Sequence, residues 1–251
     1  MTKLTNDKSM LGSALFSLDE VDEAEVSEEQ LRKEYYPFLG PQPLSSLQRL
    51  VNPYIHSQAL VEGEVGEGTR VWAWAHVMEG AKVGKNCNIG EHVFVEAGAI
   101  IGDNCIIKNG VQIWENIIIE DNVFIASGVV FTNEKYTRSG YRREHLTTYV
   151  KKGATIGAGA VILPGLEIGE YATIGAGSVV TVSVISNALV YGNPATQRGW
   201  VCSCGVKLIK DHYDFYNCQE CPKRYMAHDG GLFLVSIHEE AQYGLSEPLA
   251  N

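Results

Sequence analysis

Four cysteines near the C-terminus carry the plainest chemical signal in this sequence. Cys202-x-Cys204-Gly205 is followed by Cys218-x-x-Cys221. Two closely spaced thiol pairs can place four thiolates around one tetrahedral point, the donor set of a structural zinc site. Thirteen residues separate the pairs, enough for a hairpin. Four thiolates leave no open position for water, so the role expected is structural. A redox pair is the competing reading, but the chain lacks the βαβ pattern that accompanies one. Loss of the metal is expected to unfold the tail and spare the rest.

The histidines offer different chemistry. His76, His92 and His145 lack the close spacing of a three-histidine metal centre. A histidine titrates near neutrality, so His92 suits proton handling; a surface role competes. Downstream, Lys135, Tyr136, Arg138, Tyr141, Arg142, Arg143, Glu144 and His145 form a basic, aromatic stretch in a chain of net charge −10. Irregular polar segments on a rigid scaffold are where function concentrates.

The scaffold is a six-residue repeat. From Val65, steps of six land on an aliphatic or aromatic residue without a break as far as Phe131. The count resumes at Val150 and runs to Val180, so thirteen extra residues leave the repeat. A small or aliphatic residue sits two positions before each step. A period of six is neither helical nor simple alternation; it is the repeat of a parallel β-helix. Three hexads make one coil, and eighteen hexads make about six coils. The stepping residues and their small partners face inward. Gly66, Gly84, Gly90, Gly102, Gly157, Gly169 and Gly175 read as turn residues needing unusual φ.

Residues eighteen apart stack. Trp74, His92, Gly110 and Gly128 form one corner column, with Glu91, Asn109 and Ser127 beside it. Met78, Glu96, Trp114 and Thr132 form another, from which the inserted loop leaves. Cys87 and Cys105 stack inside as small buried side chains.

Three segments follow: an extension at 1–52, the β-helix at 53–199 with its loop at 132–149, and a zinc-ribbon-like tail at 200–251. A capping pair, Ser27 with Gln30, predicts a short helix over 28–36. Another short helix is expected near 45–51, and the extension is expected to cover an open end of the β-helix. The acidic charge argues against nucleic acid or an anionic membrane surface as partner. No stretch is long and apolar enough to span a bilayer. A cytoplasmic protein is expected.

The hexads, with Gly192–Asn–Pro–Ala195, resemble the left-handed β-helix acyltransferases. The run from Ile107–Lys–Asn–Gly–Val–Gln–Ile–Trp114 to Phe131–Thr–Asn133 is similar to N-acetyltransferases of nucleotide-linked 3-amino sugars. So are Val150–Lys–Lys–Gly–Ala–Thr–Ile–Gly157 and Gly199–Trp–Val–Cys–Ser–Cys–Gly205. The resemblance covers about residues 53–205.

It implies a left-handed coil, a homotrimer with sites between subunits, and acetyl transfer from acetyl-CoA to a sugar amine. On that basis His92, Glu144 and Asn133 are the catalytic candidates. Asn109, Trp114, His76 and His145 are candidates for the sugar nucleotide. Ala158, Gly175 and Ala176 would admit the pantetheine arm, and Lys151 and Arg198 would meet CoA phosphates. Two departures stand out: Gly159 where relatives often carry Asn, and Thr196 where they commonly carry Arg. O-acetylation and a non-catalytic scaffold remain the other readings.

Overall fold

The computed structural model describes residues 52–141 and 145–235. The helices expected at 28–36 and 45–51, and Glu144, lie outside the described residues. Among the described residues all 26 elements are strands.

Each coil contributes one short strand to each of three parallel sheets. The first face starts at Tyr54–Ile55 and Arg70–Val71 and ends at Ala188–Gly192. The second runs from Leu60–Val61 to Val179–Val180, and the third from Glu64–Val65 to Glu167–Ile168. Corner I joins the first face to the second, corner II the second to the third, and corner III the third back to the first. The seven strands of the second face mark seven coils, one more than the hexad count gives. Tyr54 pairs with Arg70 and Leu60 with His76, sixteen residues on. That shorter first coil puts Ile55 and Val61 out of phase with the hexads that follow.

Isoleucine dominates the interior. Ile89, Ile107, Ile125, Ile156 and Ile174 stack inside the first face, all essentially inaccessible. β-branched side chains fit a pleated surface, and burying each one stabilises by about 1.5–3 kcal/mol. The small residues two positions earlier, such as Ala75, Ala81, Cys105 and Ala154, are buried as expected. Cys87 and Cys105 also bridge coils. The Cys87 thiol donates to the Gly102 carbonyl at 3.1 Å, and the Cys105 thiol donates to Glu120 O at 3.1 Å.

The seven glycines expected in unusual turns have another purpose. None has a left-handed φ. A Cβ on Gly84 would lie 2.6 Å from the Gly102 backbone, and one on Gly157 would lie 2.5 Å from the Ala176 nitrogen. These residues are small because neighbouring coils touch there. The left-handed φ falls two residues later, for instance at Gly68, Asn86 and Asn104.

The inserted loop leaves the register intact. Ile119 pairs with Val150, Ile125 with Ile156 and Phe131 with Ile162, each 31 residues apart instead of 18. After the last coil, Ala195–Trp200 folds back antiparallel on Ala188–Gly192. Four antiparallel strands follow: Ile209–Lys210, Phe215–Asn217, Arg224–His228 and Gly231–Leu234. Trp200, Cys202, Leu208 and Tyr225 belong to the same apolar cluster as Ala188 and Val190. The tail therefore shares its core with the last coil of the β-helix.

Candidate active site and cysteine centre

Corner I presents a column of left-handed residues: Trp74, His92, Gly110, Gly128, Gly159 and Gly177. The Trp74 and His92 rings stack with centroids 5.0 Å apart and planes within 13°. Below them the column is bare, with nothing within 4 Å of a Cβ on any of the four glycines. Asn109 reaches back toward the His92 coil; its Oδ1 lies 2.6 Å from where a Gly90 Cβ would be. His92 and Asn109 are thus neighbours, as the column arithmetic expects. Ala158, Gly175 and Ala176 lie on the same corner nearer the C-terminus. Gly175 abuts Tyr191, whose ring carries the Arg198 guanidinium at 5.7 Å. Lys151 is elsewhere, on corner III, where its ammonium pairs with Glu120. That pairing holds the Glu120 carboxyl below the usual glutamate range.

Corner II holds the second group. The Trp114 indole N–H donates to Phe131 O at 2.8 Å, which lays the ring across the coil from which the loop departs. Phe94 packs against Trp114 at 5.7 Å, and His76 meets the Phe94 edge at 5.4 Å. His76 stands on the second face, away from any corner, with Nε2 3.1 Å from Glu62 Oε2. Asn133 is half-buried at the start of the loop. His145, where the loop returns, lies between Glu115 and Glu134. Tyr136 and Tyr141 on the loop are exposed.

Within one chain the candidates therefore form two groups, separated by the second face. His92 and Asn109 are on corner I; Trp114, Asn133 and His145 are on corner II. Sequence reasoning passed over Trp74 as a partner of His92, although both were in the same column. It also passed over Glu115 and Glu134, which no repeat position marks.

The four tail cysteines converge. Their sulfurs all lie within 4.8 Å of one another, with Cys202–Cys221 and Cys204–Cys218 at 3.5 Å and Cys204–Cys221 at 3.8 Å. A tetrahedron with bonds of about 2.3 Å has edges near 3.8 Å, so the sulfurs suit one zinc-sized ion. Gly205, at φ 90°, turns the chain between them, and its N–H donates to Cys202 O. Burial opposes ionisation of Cys202. The Cys204 backbone N–H and the Tyr225 hydroxyl, 3.2 Å from its sulfur, outweigh that and bring the thiol down to about 6.

Residues 62–97, 98–133 and 147–181 match the family described as bacterial transferase hexapeptide (six repeats). Over 179 residues the chain is 54% identical to the dTDP-3-amino-3,6-dideoxy-alpha-D-galactopyranose 3-N-acetyltransferase of Aneurinibacillus thermoaerophilus. That alignment covers 70% of this chain and 92% of the relative. A stretch of 46 residues, 18% of this chain and 22% of the relative, is 41% identical to the galactoside O-acetyltransferase of Lactococcus lactis. Among solved structures, the acetyltransferase domain of PglB from Neisseria gonorrhoeae in complex with acetyl coenzyme A aligns with TM-score 0.43 at 22% identity. It covers 61% of each chain. The chain belongs to the hexapeptide-repeat acetyltransferases.

Proposed function

We propose that the protein moves the acetyl group of acetyl-CoA onto the 3-amino group of a dTDP-linked 3-amino-3,6-dideoxy sugar. The observation that carries this reading is 54% identity running through 92% of a relative bearing that name.

In the reaction the neutral amine nitrogen attacks the thioester carbonyl. A C–N bond forms, the C–S bond breaks, and CoA leaves as the thiol once a proton reaches it. His92 takes the proton from the attacking amine on a ring nitrogen. Asn109, one coil away, holds sugar hydroxyls. The bare glycines of corner I, with Ala158, Gly175 and Ala176, admit the pantetheine arm. From Gly177 to His92 this trough spans four coil spacings, roughly 19 Å at strand spacing. Arg198, resting on Tyr191 at its end, meets the CoA phosphates. Lys151 is committed to Glu120 within the chain and supports corner III instead.

Asn133, Trp114, His145 and Glu144 belong to the loop side. They complete the site in a homotrimer, where corner I of one subunit faces corner II of the next. His76, paired with Glu62 and Phe94, buttresses the second face beside them. Cys202, Cys204, Cys218 and Cys221 hold one zinc ion, which cross-links the tail and has no position open for substrate. Six free cysteines fit a reducing compartment such as the cytoplasm.

The experiment is to incubate the protein with acetyl-CoA and a panel of dTDP- and UDP-linked 3-amino and 4-amino sugars while following free thiol. Thiol release with the dTDP-linked 3-amino sugar is expected. Release only with hydroxyl acceptors, or with none, overturns the reading.

A further inference from the structure

The third residue of each corner adopts a left-handed φ, and glycine or asparagine meets that demand nearly everywhere. Gly68, Asn86, Asn104, Asn122 and Gly153 do so at corner III, and Gly80, Gly98, Asn116 and Gly165 at corner II. Bulky side chains are outliers in this region. On the β-helix corners only three rings stand there among the described residues: Trp74 at φ 58°, His92 at φ 58° and Tyr171 at φ 56°. Tyr171 has a packing reason. Its ring lies over Gly153, where an added Cβ would be 2.4 Å away. Trp74 has no such reason. It is 52% exposed, and its one ring contact among the described residues is His92.

His92 differs from the other candidate histidines in its partners. No hydrogen bond to its ring is found among the described residues, whereas His76 and His145 both face carboxylates. Its backbone is fixed, since the His92 N–H donates to Ala73 O one coil back. The remaining freedom is rotation of the imidazole. The indole face blocks that on one side, and the gap above Gly110 stays open on the other. A flat stack covers one face of the imidazole and leaves its edge uncovered by the indole.

We propose that Trp74 is the positioning residue of the acetyl transfer: its indole fixes the plane of the His92 imidazole so that a ring nitrogen meets the acceptor amine over the Gly110 gap. This rests on the reading of His92 as proton acceptor. Two strained aromatic placements on successive coils are the kind of outlier that marks a functional constraint.

The test compares Trp74→Gly, Trp74→Phe and His92→Asn in the full-length protein. Glycine suits the left-handed backbone, so Trp74→Gly keeps or raises the melting temperature. Its kcat falls by about 10²-fold, the scale of a misplaced reacting group, with KM for acetyl-CoA unchanged. Trp74→Phe restores most of kcat. The NMR signals of the His92 ring are shifted upfield by the indole in the native protein, and that shift disappears in Trp74→Gly. Native kcat in Trp74→Gly, equal losses in the Gly and Phe variants, or a loss that tracks melting temperature overturns the proposal. If His92→Asn is impaired while Trp74→Gly is not, the proposal fails alone. If His92→Asn keeps native kcat, the proton-acceptor reading fails and takes the role of Trp74 with it.

Discussion

Nδ1 of His145 lies 3.2 Å from Oε2 of Glu115, and its other ring nitrogen lies 3.6 Å from Glu134. Glu134 lies near the start of the inserted loop, His145 near its return, and Glu115 belongs to the coil before. One imidazole therefore pins both ends of the loop to the rigid corner. Asn116 adds a bond to the His145 carbonyl at 3.4 Å. His145→Leu is expected to free the loop: trypsin cuts several-fold faster at Lys135 and Arg138, and KM for the sugar nucleotide rises while KM for acetyl-CoA stays. Unchanged cleavage would show that the loop is held by other contacts.

The cysteine centre predicts one zinc per chain by elemental analysis, lost in Cys218→Ser. Because Cys202, Tyr225 and Trp200 share a core with Ala188 and Val190, chelation is expected to lower the melting temperature of the last coils along with the tail. Protection of the last-coil amides against hydrogen exchange, unchanged by chelation, would show that the two cores are energetically separate.

Two glycines separate close contact from backbone conformation. Gly84→Ala drives a methyl into the Gly102 backbone, and a loss of about 3 kcal/mol is expected. Gly110→Ala meets open space but keeps φ 74°, so only about 1 kcal/mol is expected. Urea denaturation of both variants checks the order, and a reversed order defeats the assignment.

Lys151 holds the Glu120 carboxyl below its ordinary value. The sign is that of a depressed acid: the stabilisation is fully present above the unfolded value, near pH 4.3, and is lost as pH falls through the folded value. Glu120→Gln is therefore less stable than the native protein at neutral pH and converges with it in acid. A difference between the two that persists at the acid end would mean the pair contributes by packing.

The faces, the buried columns and the exit point of the loop were all readable from a six-residue count, because stacking in a β-helix is fixed by chain distance alone. The first coil escaped that count because two missing residues shift its phase. The glycine roles were misread because a period cannot distinguish a residue that turns the chain from one that lets two coils touch. His92 and Asn109 were placed correctly by register. The clasp on His145 and the Tyr225 hydroxyl beside Cys202 were not visible, since both depend on side-chain reach across elements with no common period. The ion pair of Lys151 with Glu120 is likewise invisible to the six-residue count, because it joins coils through side-chain reach.

Thirteen residues leave the coil at corner II and return without moving a single pairing, so that the strands on either side align as if nothing intervened. Heritable change can therefore act on the loop and on the barrel-like prism separately. Lineages can lengthen, shorten or recompose this segment while the buried ladders, and the folding that depends on them, are inherited untouched. A shared prism carrying divergent loops is the expected result: variation at one corner without renewed invention of the fold.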